Sequence, residues 1–232
     1  MANLFLALAD IHGEAELLTR ILSKNPCVQA AFIAGDLTHF GKEKEAARIL
    51  SILSVSSPHE FFFVAGNCDS LEAQLEFSRH INFIDKRAKA FQDQQKNILT
   101  LIGAGGGLLH TGLTPFELSE EELEANLNSA LTESNTKSIS RSLIVLTHTP
   151  PFGTYADMRL SRHLGSTSYE AFLYEHEPLM WICGHIHEGR SAHYEGNTLV
   201  VNPGPAAQGK YALIAIERIR GELCASADLK AI

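Results

Sequence analysis

The chain has 232 residues, 45% hydrophobic and 20% charged, a globular balance that excludes a disordered chain and supplies apolar material for a core. With 19 Lys and Arg against 27 Asp and Glu, the net charge is −8. That argues against gripping a nucleic-acid polymer by its phosphates, which needs a basic face, but it leaves room for a small phosphate ester held through cations that reverse the local field.

In chain order, the apolar run Leu4–Ala9 predicts a first strand and stops at Asp10. It has neither a basic leader nor a small-residue cleavage site, and no segment reaches the ~18 apolar residues of a membrane span, so a cytoplasmic protein is expected. Leu17, Leu18, Ile21 and Leu22 lie at helical spacing, as do Ala46, Ile49, Leu50 and Leu53. Between and after them, Ala30–Ala34 and Phe61–Ala65 are continuous apolar runs that fit strands covered on both faces. This alternation argues for a mainly parallel sheet. Lys86–Phe91 and Asn97–Ile102 read as a hairpin.

Gly103–Gly107 then links a strand to a helix. It fits a mobile flap and a plain connector about equally, and it has no P-loop Lys-Ser/Thr. Ser119 and Glu122 form a capping box that opens a helix with Leu123, Leu127 and Leu131 as its buried stripe. Leu143–Leu146 and Leu179–Cys183 are two more strands, and Thr198–Val201, Tyr211–Glu217 and Leu223–Ala227 predict an antiparallel sheet or edge. One domain over residues 1–232 is expected. Cys27, Cys68, Cys183 and Cys224 form no CxxC pair and read as reduced thiols.

The residues just past the strand ends carry the chemistry. The segments are Asp10-x-His12, Gly35-Asp36, Gly66-Asn67-x-Asp69, Thr147-His148 and Gly184-His185-x-His187. Ligands of open α/β sheets gather outside the carboxyl ends of the strands, so these ends would meet in one crevice. The carboxylates of Asp10 and Asp36, the Asn67 amide and the four imidazoles suit Mn, Fe, Zn or Ni better than a thiolate site would. Residues two apart on an extended chain share a side, which lets Asp10 with His12, and His185 with His187, face one cavity. Each segment alone is commonplace; their ordered recurrence behind apolar strands is not.

These blocks resemble the calcineurin-like metallophosphoesterases, marked by the ordered motifs D-x-H, G-D, G-N-[HC]-[DE], H and G-H-x-H. The resemblance runs from Asp10 to about the Asn202-Pro203-Gly204 turn. It implies a four-layer α/β/β/α sandwich, with two mixed sheets flanked by helices and a metal site at the strand ends. It also implies two divalent ions per chain, manganese foremost. One would be held by Asp10, His12, Asp36 and His187, the other by Asp36, Asn67, His148 and His185, with Asp36 bridging. Two ions ~3.5–4 Å apart clamp a phosphoryl group and turn a water between them into a nucleophilic hydroxide.

Cys68 stands where many members of the family carry a histidine that contacts the phosphate or protonates the leaving group. A small phosphodiesterase branch of bacteria and archaea shares Gly-Asn-Cys-Asp. A phosphodiesterase acting on small soluble esters is therefore the leading expectation. His39, three residues after Asp36, is the candidate general acid, Asp69 a candidate to orient His12 or another ligand, and His110 a distant candidate for substrate contact. His59, His80, His163, His176 and His193 lack motif context and read as surface residues. A phosphomonoesterase or protein phosphatase is the alternative, although Gly35-Asp36 is not followed by the Asp-Arg pair of those relatives. A scaffold that kept the fold without the chemistry is a third reading, disfavoured because all seven ligand positions are filled. A membrane partner is not expected, and self-association stays open.

Overall fold

A computed structural model describes residues 3–56, 60–110, 112–134 and 140–232. The predicted alternation is present as β1 (Asn3–Leu8), α1 (Ala15–Lys24), β2 (Ala30–Ala34), α2 (Glu43–Ser56), β3 (Glu60–Val64) and α3 (Leu71–Phe77). The hairpin β4 (Arg87–Gln92) and β5 (Ile98–Ala104) comes next, then β6 (Gly107–Leu108), β7 (Glu117–Leu118) and α4 (Glu120–Glu133). After these come β8 (Leu143–Thr147), the two-residue strands β9 (Met158–Arg159) and β10 (Arg162–His163), α5 (Thr167–His176) and β11 (Met180–Ile182). The last strands are β12 (Ser191–Glu195), β13 (Thr198–Asn202), β14 (Lys210–Ile219) and β15 (Glu222–Ala231).

Two large mixed sheets result, one in the order β15-β14-β1-β2-β3 and the other β12-β13-β11-β8-β5-β4. In the first, β1, β2 and β3 are parallel and β14 runs antiparallel to β1. In the second, β5, β8, β11 and β13 are parallel, with antiparallel edges at β4 and β12. Of the three C-terminal strands expected to be antiparallel, β14 and β15 form an antiparallel edge of the first sheet, while β13 lies inside the second, parallel to β11 and antiparallel to β12.

The period of two along each strand divides the apolar runs between layers. Phe5, Phe32 and Phe62 face the second sheet and meet Leu101, Ile144, Leu146 and Ile182 in the central core. Phe91 of β4 comes within 6.2 Å of Phe5 and Phe32 and 5.7 Å of Phe62, ring centre to ring centre. Phe61 and Phe63 face outward onto a second cluster that includes Leu18, Ile21, Ile49, Leu53 and Phe77 of α1–α3. On the far side, Leu123 and Leu127 of α4 and Tyr169 and Phe172 of α5 cover Val145 and Trp181. The layers are helices, sheet, sheet, helices, as the resemblance implies. Every strand of the interior is covered twice, which is why the runs are unbroken rather than alternating.

The capping box of Ser119 and Glu122 forms. Leu123 and Leu127 are fully buried, Ala130 completes the stripe, and Leu131 packs partly buried beside it. The glycine run is not a flap. Residues 103–107 are buried, and a Cβ on Gly105 would lie 2.6 Å from the Ala65 carbonyl, one on Gly107 2.7 Å from Asn67 Cβ. Gly105 is there because two backbones touch, and Gly107 leaves room for the Asn67 side chain. All four cysteines are free. No helix among the described residues is long and apolar enough to cross a membrane.

Candidate metal centre

The five strand ends converge. β1, β2 and β3 deliver Asp10, His12, Asp36 and Asn67 from one sheet, while β8 and β11 deliver His148, His185 and His187 from the other. Backbone bonds knit the loops together: Asp10 N–H donates to Gly35 O at 3.1 Å, and His12 N–H to Asp36 O at 2.9 Å. The fit between sheets is tight. A Cβ on Gly184 would lie 2.6 Å from Ala9 Cβ and 2.9 Å from Asp10 Oδ2.

Asp10, His12, Asp36 and His185 all have left-handed backbones, with φ of 54°, 47°, 50° and 66°. Non-glycine residues rarely adopt that region, and such strain concentrates at functional sites. Here it turns each side chain sharply off its strand end into the crevice.

Asp36 Oδ1 accepts the Cys68 N–H at 2.7 Å, which orients the carboxylate. Its Oδ2 is then 3.9 Å from His12 Nε2 and 3.5 Å from His148 Nε2. On one side of Asp36, Asp10 Oδ1 is 3.4 Å from His187 Nε2, and His12 Nε2 is 3.5 Å from the same nitrogen. On the other, His148 Nδ1 donates to Ala34 O at 2.8 Å, and Nε2 faces Asn67 Oδ1 at 2.8 Å. The His185 ring lies 5.0 Å from that of His148. Acceptor atoms of Asp10, His12 and His187 lie within 4.8 Å of one another, as do those of Asp10, Asp36 and His148.

These contacts suit cations. Asp10 Oδ2 is fully buried with no hydrogen-bond partner, an expensive state for a carboxylate oxygen without a counter-charge. Once Nδ1 of His148 donates to Ala34, its Nε2 can reach Asn67 Oδ1 only by carrying a second proton. A divalent ion satisfies the same acceptors without it. The titration behaviour agrees. Burial works against the charge of Asp10, but the His187 hydrogen bond and the nearby imidazoles hold its carboxyl below the usual range. Burial opposes protonation of His148, yet Asp36 and Asp10 raise it, and the hydrogen bond to Asp10 raises His187. Burial and the neighbouring His148 push His185 down to about 4, which leaves it a neutral donor of a lone pair.

His39 sits at the mouth. Its Nδ1 is 3.3 Å from His12 Nδ1, and polar atoms of His39, His12 and Cys68 lie within 4.8 Å of one another. Burial and the charge of Asp36 push the Cys68 thiol up, so it stays protonated. Asp69 does not orient a histidine. It accepts from Leu37 N, Thr38 N, Thr38 Oγ1 and Gly66 N at 2.8–3.2 Å and ties the loops after β2 and β3 together. Burial and Asp36 push it up to about 7.

Other functional residues carry little signal in the sequence. Asn202 is fully buried; its Nδ2 donates to the carbonyls of Ala156, Gly184 and Ile186 at 2.9–3.4 Å and so clamps the loop that carries His185 and His187. Asn-Pro-Gly at that point is its one signal. His163 is held by the buried Asp157 and lines a cavity of about 460 Å³ beside Asn67 and His185, as does His110. His80 packs half-buried against Phe61 and Phe63. His163 is exposed, as expected, although its ring is held by Asp157, whereas His80 is half-buried and not a surface residue. His193 is exposed beside Tyr155, His176 lies against Phe172, and His59 falls outside the described residues.

Comparison with known proteins gives the same reading. The uncharacterized protein MJ1162 of Methanocaldococcus jannaschii is 31% identical over 209 residues, covering 88% of this chain and 89% of that protein. The protein TT1561 of Thermus thermophilus shares the fold with a TM-score of 0.71 at 19% identity, over 97% of this chain and 99% of that one. A dimetal phosphatase from Danio rerio shares it with a TM-score of 0.60 at 14% identity, over 99% of each chain. The model of the calcineurin-like phosphoesterases matches residues 4–189, and the chain belongs to that family of metal-dependent hydrolases of phosphoric esters.

Proposed function

We propose that this enzyme hydrolyses small phosphate diesters at a centre of two divalent ions held by Asp10, His12, Asp36, Asn67, His148, His185 and His187. One ion falls to Asp10, His12, Asp36 and His187, the other to Asp36, Asn67, His148 and His185. The observation that carries the reading is the buried Asp36 carboxylate with one oxygen between His12 Nε2 and His148 Nε2. A structural site needs no shared carboxylate. When bound, two such ions supply charge stabilisation for the phosphoryl oxygens and activation of a water, manganese being the proposed pair.

The chain's own residues do the rest. Asp10 and Asp36 fix the orientation of the histidines from inside the crevice. His39 donates a proton to the departing alcohol, taking the place of the histidine that Cys68 replaces; its ring beside Cys68 supports this. A neutral thiol cannot act as a cation and is a weak donor. The ester is a small soluble molecule, in keeping with a net charge of −8, which argues against gripping a polymer by its phosphates.

The test is turnover of bis-p-nitrophenyl phosphate and p-nitrophenyl phosphate by protein stripped of metal and reloaded with manganese. The expected result is metal-dependent cleavage favouring the diester, abolished in Asp36→Ala and His148→Ala. Preference for the monoester would overturn the diester assignment. Cleavage that persists in both variants would overturn the ligand set.

A further inference from the structure

We propose that the cavity beside Asn67 and His185 seats the retained organic group of the ester, a ring-bearing group of about nucleoside size, and that His163 reads its hydrogen-bonding edge. This rests on the phosphoesterase reading above and extends it to substrate class.

At about 460 Å³ the cavity is far larger than a bare phosphate requires, and it lies in the range of ~300–1,000 Å³ typical of organic-ligand sites. Leu108, Phe152, Leu164 and Ile186 give it apolar walls, and Asn67 and His185 bring it to the edge of the metal centre. A group attached to a phosphate held there has this cavity next to it.

The wall that carries His163 is built rather than draped. Asp157 is fully buried, and its Oδ1 accepts from His163 Nδ1 at 2.6 Å. Its Oδ2 accepts from Gly153 N at 3.2 Å and Gly165 N at 3.0 Å, next to Phe152 and Leu164. Phe152 N donates to Ser166 O and Ser166 N to Pro150 O, both at 2.9 Å, closing the loop on itself. One buried carboxylate thus fixes a histidine and two apolar wall residues before any ligand arrives. Such pre-organisation lowers the cost of binding.

Both oxygens of Asp157 are satisfied by these bonds, which is what makes its burial tolerable. A carboxylate can only accept, so Nδ1 holds the proton and fixes the tautomer. Nε2 then remains as the ring's uncommitted polar atom; no described residue hydrogen-bonds to it. It accepts from an N–H or O–H when the ring is neutral and donates when it is charged. Arg159 shares the cavity lining, but it is paired with Glu188 at 3.2 Å, and both side chains are more than half exposed. An exposed pair of this kind contributes little. His110, Thr114, Glu117 and Thr167 also line the cavity; His163 is singled out among them because a fully buried carboxylate holds its ring.

The test uses two diesters with one leaving group: the p-nitrophenyl ester of thymidine monophosphate and methyl p-nitrophenyl phosphate. Manganese-loaded wild-type protein is expected to prefer the thymidine ester. His163→Ala should lower that preference about tenfold, the loss of one good hydrogen bond, through KM rather than kcat. Leu164→Trp, which fills the cavity, should lower it too. Calorimetry supplies a readout without turnover: thymidine monophosphate should bind more tightly than inorganic phosphate, and His163→Ala should narrow the gap. Cleavage of both esters with no preference, or a preference that neither variant moves, would overturn the cavity assignment and leave the phosphoesterase reading intact. Metal-dependent cleavage of neither ester would overturn the underlying reading, and this one with it.

Discussion

At the scale of single residues, the centre is assembled from backbone that resists it. A left-handed conformation costs a side chain roughly 1–2 kcal/mol relative to glycine, and Asp10, His12, Asp36 and His185 all adopt one. His12 permits a clean measurement, since it is half-buried and its ring is the candidate ligand. In metal-free protein, His12→Gly should be about 1 kcal/mol more stable to urea than His12→Ala. Both should lose metal affinity alike, because both lack the imidazole. Equal stability would mean that the backbone at His12 is unstrained. His39 makes a second prediction. His39→Ala should slow cleavage of an alkyl diester about 10²-fold or more and slow a p-nitrophenyl diester far less, since that leaving group departs without a proton. An equal loss on both would assign His39 to holding His12 through the 3.3 Å contact instead. At this scale the sequence is informative wherever side chains do chemistry in a fixed order, and silent where they act through the backbone. Nothing in the residue types of Asn202 or Asp157 reveals three bonded carbonyls or an oriented imidazole.

Among the elements, those legible in the sequence are the ones whose apolar residues face a core on a regular period. β1, β2, β3, β8 and β11 are unbroken apolar runs, and α1 and α2 keep helical spacing. The missed elements lack such runs. α3 is seven residues behind a Ser70 cap. α5 buries Tyr169, Phe172 and Leu173 but mixes them with Thr, Ser, Glu and His. β12 is an edge strand with a mostly exposed face. The segment after α3 carries a pH-sensitive contact that its composition hides. His80 packs on Phe61 and Phe63, and its Nδ1 accepts from Asn82 N at 3.2 Å. Burial lowers its pKa, so the unfolded chain takes up the proton first as pH falls below the ordinary ~6.5. Stability from this contact is complete above that value and declines below it, towards the folded pKa. Between about pH 7 and pH 5, melting temperature should fall less steeply in His80→Phe than in wild type, because the ring is kept and the titration removed. Parallel slopes would mean that His80 does not titrate differently in the two states.

For the whole molecule, the decisive feature is that the candidate ligands come from both sheets. Asp10, His12, Asp36 and Asn67 belong to the ends of β1, β2 and β3, and His148, His185 and His187 to the ends of β8 and β11. The sheets otherwise meet through an apolar interior, with the hydrogen bond from His148 Nδ1 to Ala34 O as one polar link at the site. Metal held by these candidate ligands would join the halves across that seam and counter the like charges of Asp10 and Asp36, whose carboxylates lie close together at the end of the core. An ion that binds only the folded protein stabilises it by about 2.7 kcal/mol at a hundredfold excess over Kd. For a chain of this size each kcal/mol is worth about 2–4 °C, so manganese at that excess should raise the melting temperature by about 5–10 °C and saturate. Asp36→Asn, which keeps the shape and removes the shared charge, should lose most of the gain while folding without metal. A full gain in Asp36→Asn would mean that the ions do not share that carboxylate. No gain in wild type would mean that the two sheets are held together without metal.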